Sequence, residues 1–196
     1  MRILLASASP RRAELLAADG YRFDVMPADV NESPVAGESP ADYVRRMAAA
    51  KAAAVADDAL GRVVLGADTA VVLERRVFGK PADDAEAAAM LRQLSARAHE
   101  VLTGVALRRG DRSADGVERT RVHFVELSGE QIAAYVASGE PRDKAGAYAI
   151  QGGASAFVDR IEGSHSNVVG LPLELVRRLL SGLLGGQSGA NPGPRV

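Results

Sequence analysis

The five residues Arg2-Ile3-Leu4-Leu5-Ala6 form a continuous apolar run that gives directly onto Ser7-Ala8-Ser9-Pro10. A run this short, without polar alternation, reads as a strand buried on both faces. The Ser-Pro pair then opens a helix that Gly20 closes. Ser9 is a good N-cap, and Pro10 stands where a missing N–H costs nothing. A buried strand running straight into a helix points to an α/β fold.

The rest of the pattern agrees. Tyr21 to Met26 reads as a second strand, and polar residues from Pro27 to Ser39 as a long loop. Ser39-Pro40 opens an Ala-rich helix to about Asp58, on which Val44, Met47, Ala48 and Lys51 recur at helical spacing. One edge of its apolar face therefore ends in a cation. Val63 to Ala67 is a buried-strand run continuing past Asp68 to Leu73. Asp83 with Glu86 is a capping box for a helix to Leu94, and Ser128 with Gln131 opens another that ends at Gly139. Glu100–Arg108 and Glu118–Leu127 read as an antiparallel pair across a polar turn from Gly110 to Gly116. Short strands follow at Ala147–Ile150 and Ala156–Ile161, then a last helix from Pro172 to Leu184. Residues 1–184 are thus expected to form one α/β domain with a mixed sheet, and residues 185–196, rich in Gly, Pro and Ser, a disordered tail.

Of 196 residues 47% are hydrophobic, enough for a sizeable core, while 24 Lys+Arg nearly cancel 25 Asp+Glu. A protein that coats a nucleic-acid polymer carries a large positive excess, so any anion site here must be local. Cysteine is absent, which excludes disulfides and thiolate chemistry. The apolar N-terminal run is too short for a secretory signal, and no segment approaches the ~20 apolar residues of a membrane helix. The expectation is a cytoplasmic protein that acts on a small molecule.

Four segments carry candidate chemistry. Ser7-Ala8-Ser9-Pro10-Arg11-Arg12 lies at a helix start, where free N–H groups and guanidinium forks suit phosphate oxygens; a capped helix with solvated arginines explains it equally well. Gly66-Ala67-Asp68-Thr69 puts a carboxylate at the end of a buried run, facing a cleft rather than the core, with a turn aspartate as the plainer reading. Phe78-Gly79-Lys80-Pro81 offers a point charge beside a small residue, or merely a turn lysine. In Asp143 to Gly153, glycines flank an apolar stretch that delivers the neutral amide of Gln151, able to read a base edge, or simply exposed. Together they supply cations for a triphosphate, a carboxylate for metal and water, and an amide for a base.

These residues resemble one family. Leu5-Ala6-Ser7-Ala8-Ser9-Pro10-Arg11-Arg12-Ala13-Glu14-Leu15-Leu16 is similar to the opening signature of the Maf nucleotide pyrophosphatases. Gly37-Glu38-Ser39-Pro40 with Lys51, Gly66-Ala67-Asp68-Thr69, Gly79-Lys80-Pro81, His99 with Thr103-Gly104, the Asp143–Gly152 run and Asn167-Val168-Val169-Gly170-Leu171-Pro172 follow in the family's order. The resemblance implies a single α/β domain of the Maf/ITPase-like kind: an elongated mixed sheet flanked by helices, with two lobes around a nucleotide cleft. It also implies a homodimer, a divalent cation (Mg²⁺ or Mn²⁺), and cleavage of a nucleoside triphosphate to its monophosphate and pyrophosphate. On this basis Asp68 is the expected proton acceptor. Arg11, Thr69 and Gln151 set substrate choice in the manner of the branch acting on dTTP and UTP. Ser7, Arg12, Lys51 and Lys80 bind phosphate, and Asp68 and Glu32 bind metal. House-cleaning of modified pyrimidine nucleotides is the purpose the family suggests. A broad-specificity pyrophosphatase and a nucleotide-sensing regulator of cell division are the alternatives. The chain departs from the family pattern at Asn31, where Asp is common, at Ala96 and Ala98, which replace Gly and Thr, and at His165, which replaces Tyr.

Overall fold

The computed structural model describes residues 1–185. Its elements are β1 (Arg2–Ala6), α1 (Pro10–Ala18), β2 (Arg22–Val25), α2 (Pro40–Ala54), β3 (Val63–Leu73), β4 (Arg76–Phe78), α3 (Asp84–Leu94), β5 (Ala98–Arg109), β6 (Arg112–Phe124), α4 (Gly129–Ala137), β7 (Val158–Glu162), α5 (His165–Val169) and α6 (Leu173–Gly185), with short 3₁₀ turns between some of them. One seven-stranded mixed sheet runs in the order β2-β1-β3-β5-β6-β7, and β4 pairs with β3.

The long strand β3 organises the molecule. β5 follows one edge of it from Val64 to Val72. On the other edge β1 pairs in parallel only as far as Gly66, and β4 pairs only from Val71 onward. Between them, Ala67 to Ala70 have no strand on that side. A sheet edge left open inside the fold exposes backbone groups that something else must satisfy, and the cleft opens here.

Successive residues of β3 face opposite sides of the sheet. On one face lie two apolar clusters. The first joins β1 and the start of β3 to α1 and α6, through Ile3, Leu5, Val63, Leu65, Leu16, Leu175 and Val176. The second joins the far end of β3 to β4, α3 and α4, through Val71, Leu73, Phe78, Leu91, Leu94 and Ile132. A buried polar band separates them: Thr69 and Thr103 hydroxyls pair at 3.0 Å, and the Asn167 amide donates to Val101 O at 3.0 Å and Thr120 Oγ1 at 2.9 Å. These are the two lobes. Helix α2 covers the other face, through Val44, Ala48 and Ala52.

The capping signals hold at α2, α3 and α4. Ser39 Oγ accepts from the Asp42 N–H, Asp83 from Glu86, and Ser128 with Gln131 forms the full reciprocal box. In α3 the returning Glu86 reaches the Ala82 N–H instead of the cap's own. Ser9 occupies the N-cap of α1 but makes no capping bond; the Ser9 N–H donates to Ser7 Oγ.

Other expectations need correction. Helix α2 ends at Ala54, because buried Val55 turns the chain back onto the sheet before a separate 3₁₀ turn at Asp57–Ala59. The polar stretch read as a long turn is the first half of β6, and only Gly110 and Asp111 form the turn. Its small residues fit beneath α6, where a Cβ at Gly116 would come within 2.9 Å of Leu175. Ala147–Ile150 is not a strand. Gly146 (φ +70°) and Ala147 (φ +60°) are left-handed and break any extended run, so Gln151 comes on a turn. The strand expected at Ala156–Ile161 is β7, shifted to Val158–Glu162. Ala96, where the family's Gly is missing, sits at φ +55°, a conformation that glycine adopts without a Cβ penalty. The proposed tail touches the described chain only at Gly185, which ends α6; the remainder lies outside the described residues.

Candidate active site

A cleft of about 580 Å³ opens along the unpaired interval of β3. It is walled by the β1–α1 loop and start of α1, by Glu32 and α2, by the Gly79-Lys80 turn, and by residues 143–151 and 168–170.

Asp68 points to the α2 face of the sheet. Two glycines on that face let the helix come unusually close. A Cβ at Gly66 would lie 2.2 Å from Ala48 O, and one at Gly104 would lie 2.2 Å from Val44 O. Helix α2 therefore rests its backbone directly on β3 and β5. That seating brings Lys51 Nζ to 2.6 Å from Asp68 Oδ1, with both side chains nearly buried at 12% and 11% exposure. A half-exposed Glu32 carboxylate meets the same ammonium at 2.6 Å. One cation thus bridges two carboxylates that would otherwise repel, and its hydrogen bond holds the Glu32 carboxyl below the usual carboxylate range. Asp68 Oδ2 has no hydrogen bond to the described residues. The loop carrying Glu32 is tied to α2, since Tyr43 donates to Glu32 O at 3.0 Å and Arg46 pairs with Glu38 at 2.6 Å. Asn31, one of the departures, shapes this loop by accepting from the Ser33 N–H at 2.9 Å.

Thr69 points to the opposite face and meets Arg12. The Arg12 guanidinium donates to Gly170 O (2.8 Å), Ala67 O (2.8 Å), Ser7 Oγ (3.1 Å) and Thr69 Oγ1 (3.1 Å). Four of its five donors are thus committed to protein, leaving one for a ligand. Ala67 O is a backbone acceptor exposed by the gap between β1 and β4, and Arg12 fills the place of the missing strand. Burial pushes the Arg12 pKa below its ordinary value, though it stays a cation.

The other expected residues also reach the cleft. Ser7 lines it, its hydroxyl already accepting from Ser9 N–H and Arg12. Arg11 and Lys80 line it and form no ion pair among the described residues. Gln151 lies at the rim with its side chain exposed. Among the wall residues that the sequence reading did not single out are Tyr43, Asp143, Lys144 and Tyr148. Tyr43, Met47 and Lys51 are spaced four apart on α2, so Tyr43 was detectable by extending that stripe. Lys144 forms an ion pair with Asp143, and both fall in a run read only for its amide. Tyr148 lines the cleft, and its Oη lies 2.8 Å from Nε2 of buried His99, whose pKa burial pushes down to about 4.

Cations, a Lys51-bridged pair of carboxylates and an amide lining one cleft can hold a polyanion and deprotonate a water beside it. No helix among the described residues is long and apolar enough to cross a membrane.

Comparison with known proteins bears on the fold and the family. The fold is similar to that of a HAM1 protein from Coxiella burnetii, with a TM-score of 0.51 at 18% identity, covering 93% of this chain and 99% of that one. The Ham1 protein of Staphylococcus aureus gives 0.50 at 15% identity, with the same coverage of both chains. By sequence, the chain is 54% identical to the dTTP/UTP pyrophosphatase of Geobacter metallireducens over 176 residues, covering 88% of this chain and 91% of the relative. It is 55% identical to that of Citrifermentans bemidjiense over 173 residues, covering 87% and 90%. The family model described as Maf-like protein matches residues 2–183, nearly the whole described chain, and the chain belongs to the Maf family.

Proposed function

We propose that this protein hydrolyses dTTP and UTP between the α and β phosphates, releasing the nucleoside monophosphate and pyrophosphate. The observation that carries the reading is the Lys51-bridged pair Asp68 and Glu32, lining one cleft together with Arg11 and Lys80, in a chain about half identical to dTTP/UTP pyrophosphatases.

The residues suggest the following chemistry. Lys51 engages Oδ1 of Asp68, while Oδ2 is open to accept a proton. A water that gives its proton to Oδ2 forms the new bond to the α-phosphorus. The bond from that phosphorus to the α–β bridging oxygen breaks, and pyrophosphate leaves with the oxygen. Arg11 and Lys80 offset the negative charge that builds on the leaving group. Thr69 and Gln151 face the remaining part of the nucleotide.

A divalent cation fits the donors present. Asp68 and Glu32 are hard oxygen ligands that meet on the Lys51 ammonium, so an ion would take the oxygens Lys51 leaves, at Asp68 the same Oδ2 that otherwise accepts the proton; magnesium is commonly held by one or two carboxylates plus substrate phosphates. No group of three or more His, Cys, Asp or Glu converges among the described residues, so the nucleotide's own oxygens would complete the ion's shell. When bound, the ion supplies positive charge at the phosphate to be cleaved. The second copy expected from the family would make a homodimer.

The test is pyrophosphate release from a panel of NTPs with Mg²⁺ or Mn²⁺. The reading expects dTTP and UTP to lead. Equal rates across the panel would favour broad specificity, and no release from any NTP would favour a nucleotide-sensing role.

A further inference from the structure

The turn that carries Gln151 is not held by a β-ladder. Ala147–Ile150 leaves the sheet, and the chain continues through a 3₁₀ turn at Gly153–Phe157. Two side chains outside the cleft do the holding. Tyr135, on α4, accepts from the Ala149 N–H at 3.0 Å and donates to Glu140 Oε1 at 3.0 Å. Glu140 Oε2 accepts from the Gly153 N–H at 3.1 Å. The backbone donors two residues before and two residues after Gln151 are therefore tied to one hydrogen-bonded pair.

The fit between that pair and the turn is close. A Cβ at Gly152 would lie 1.9 Å from Glu140 Oε1 and 2.6 Å from Oε2, so the carboxylate lies flat against a backbone without a Cβ, and a side chain there would push it away. Tyr135 itself is 6% exposed and packs edge-on against Phe157 at 5.1 Å between ring centres. The pair is thus rooted in the core of the second lobe. Neither Tyr135 nor Glu140 lines the cleft.

We propose that Tyr135 and Glu140 are positioning residues for base selection: they fix the turn so that the Gln151 amide meets the nucleobase edge in one orientation. This rests on the reading of Gln151 as the group that reads the base. An amide discriminates between bases only if its donor and acceptor stand in a set order, and freeing the turn lets it offer either. The phosphate-binding wall, on other elements, is unaffected.

Steady-state kinetics test this on dTTP, UTP and GTP, for wild type, Gln151→Ala, Tyr135→Phe, Gly152→Ala and the double variant Tyr135→Phe/Gln151→Ala. Tyr135→Phe keeps the packed ring and deletes only the hydroxyl. Gly152→Ala keeps Tyr135 and displaces the carboxylate, and so serves if the first variant folds poorly. The expected result is a drop of roughly 10-fold in the kcat/KM preference for dTTP and UTP over GTP in each single variant. The double variant should show no further drop beyond Gln151→Ala alone, because all act through one amide. A re-ranking by Gln151→Ala, with preference unchanged in Tyr135→Phe and Gly152→Ala, would overturn the positioning role while leaving Gln151 as reader. Unchanged preference in Gln151→Ala would overturn the underlying reading itself. A purely structural role would lower all three rates equally, and that outcome also sinks the proposal.

Discussion

The seating of α2 on the sheet can be attacked at a single atom. Gly104 lies in the middle of β5, in register with Asp68 of β3. An alanine Cβ there would come to 2.2 Å from the Val44 carbonyl oxygen, 2.5 Å from its carbon and 2.8 Å from Arg45 N. These are helix backbone atoms, so no rotamer change can clear them. The approach is about 1.2 Å short of the 3.4 Å of ordinary contact, and α2 must withdraw by about that amount. Overpacking of this kind costs about 2 kcal/mol. In a chain of this length that lowers the melting temperature by about 4–8 °C. Lys51 moves with the helix, opening its 2.6 Å contact with Asp68, and a misplacement near 1 Å costs about 10²-fold in turnover. Thermal melting by circular dichroism, with pyrophosphate release from dTTP, measures both effects. Gly129→Ala is the control, since nothing lies within 4 Å of its Cβ position. If Gly104→Ala melts like the control and turns over normally, close helix seating does not place Lys51, and the account of the Gly66 and Gly104 positions fails.

Three other outcomes follow from the site. Asp68→Asn should cut turnover by ~10²-fold or more while melting nearly as wild type, because Lys51 keeps its Glu32 partner; normal turnover in a folded variant would remove Asp68 from the mechanism. Lys80→Ala and Arg12→Ala should both lower kcat/KM without altering the order of dTTP, UTP and GTP, and only Arg12→Ala should also lose about 1–3 kcal/mol of stability, having left Ala67 O and Gly170 O without their donor. A changed order of nucleotides in either variant would break the division between phosphate holding and base reading. His99 takes up a proton only near pH 4 in the folded protein, against 6.5 for the free side chain, so between these values the unfolded state binds more protons. Stability from this residue should be full above pH 6.5 and erode as pH falls toward 4, and melting curves of His99→Gln should be flatter than wild type over that window; equal slopes would mean that the ring is not the titrating group.

Sequence reading succeeded where a local rule decides. Short apolar runs marked β1 and β3, the Ser39, Asp83 and Ser128 caps marked three helix starts within a residue, and Asp68 stood out as a carboxylate that a buried run could not absorb. These signals lie within a few residues of one another, so propensity, capping and the cost of burying charge are enough to read them. The limits appeared where partners are far apart in the chain. Nothing near Ala147 announces a turn in place of a strand, because left-handed Gly146 beside it fits against Val71 of β3. Nothing near Arg12 says that four of its donors are committed to residues as distant as Gly170. Helix α2 advertises a cation at Lys51, but only the glycines of β3 and β5, brought into register by the sheet, show why that cation meets Asp68 and Glu32 together. The sequence by itself determined which groups are candidates for phosphate, proton and base. The tertiary structure decided which of them share a cleft, by leaving one interval of β3 without a neighbouring strand and closing two lobes around it, and that depends on long-range register that no local pattern encodes.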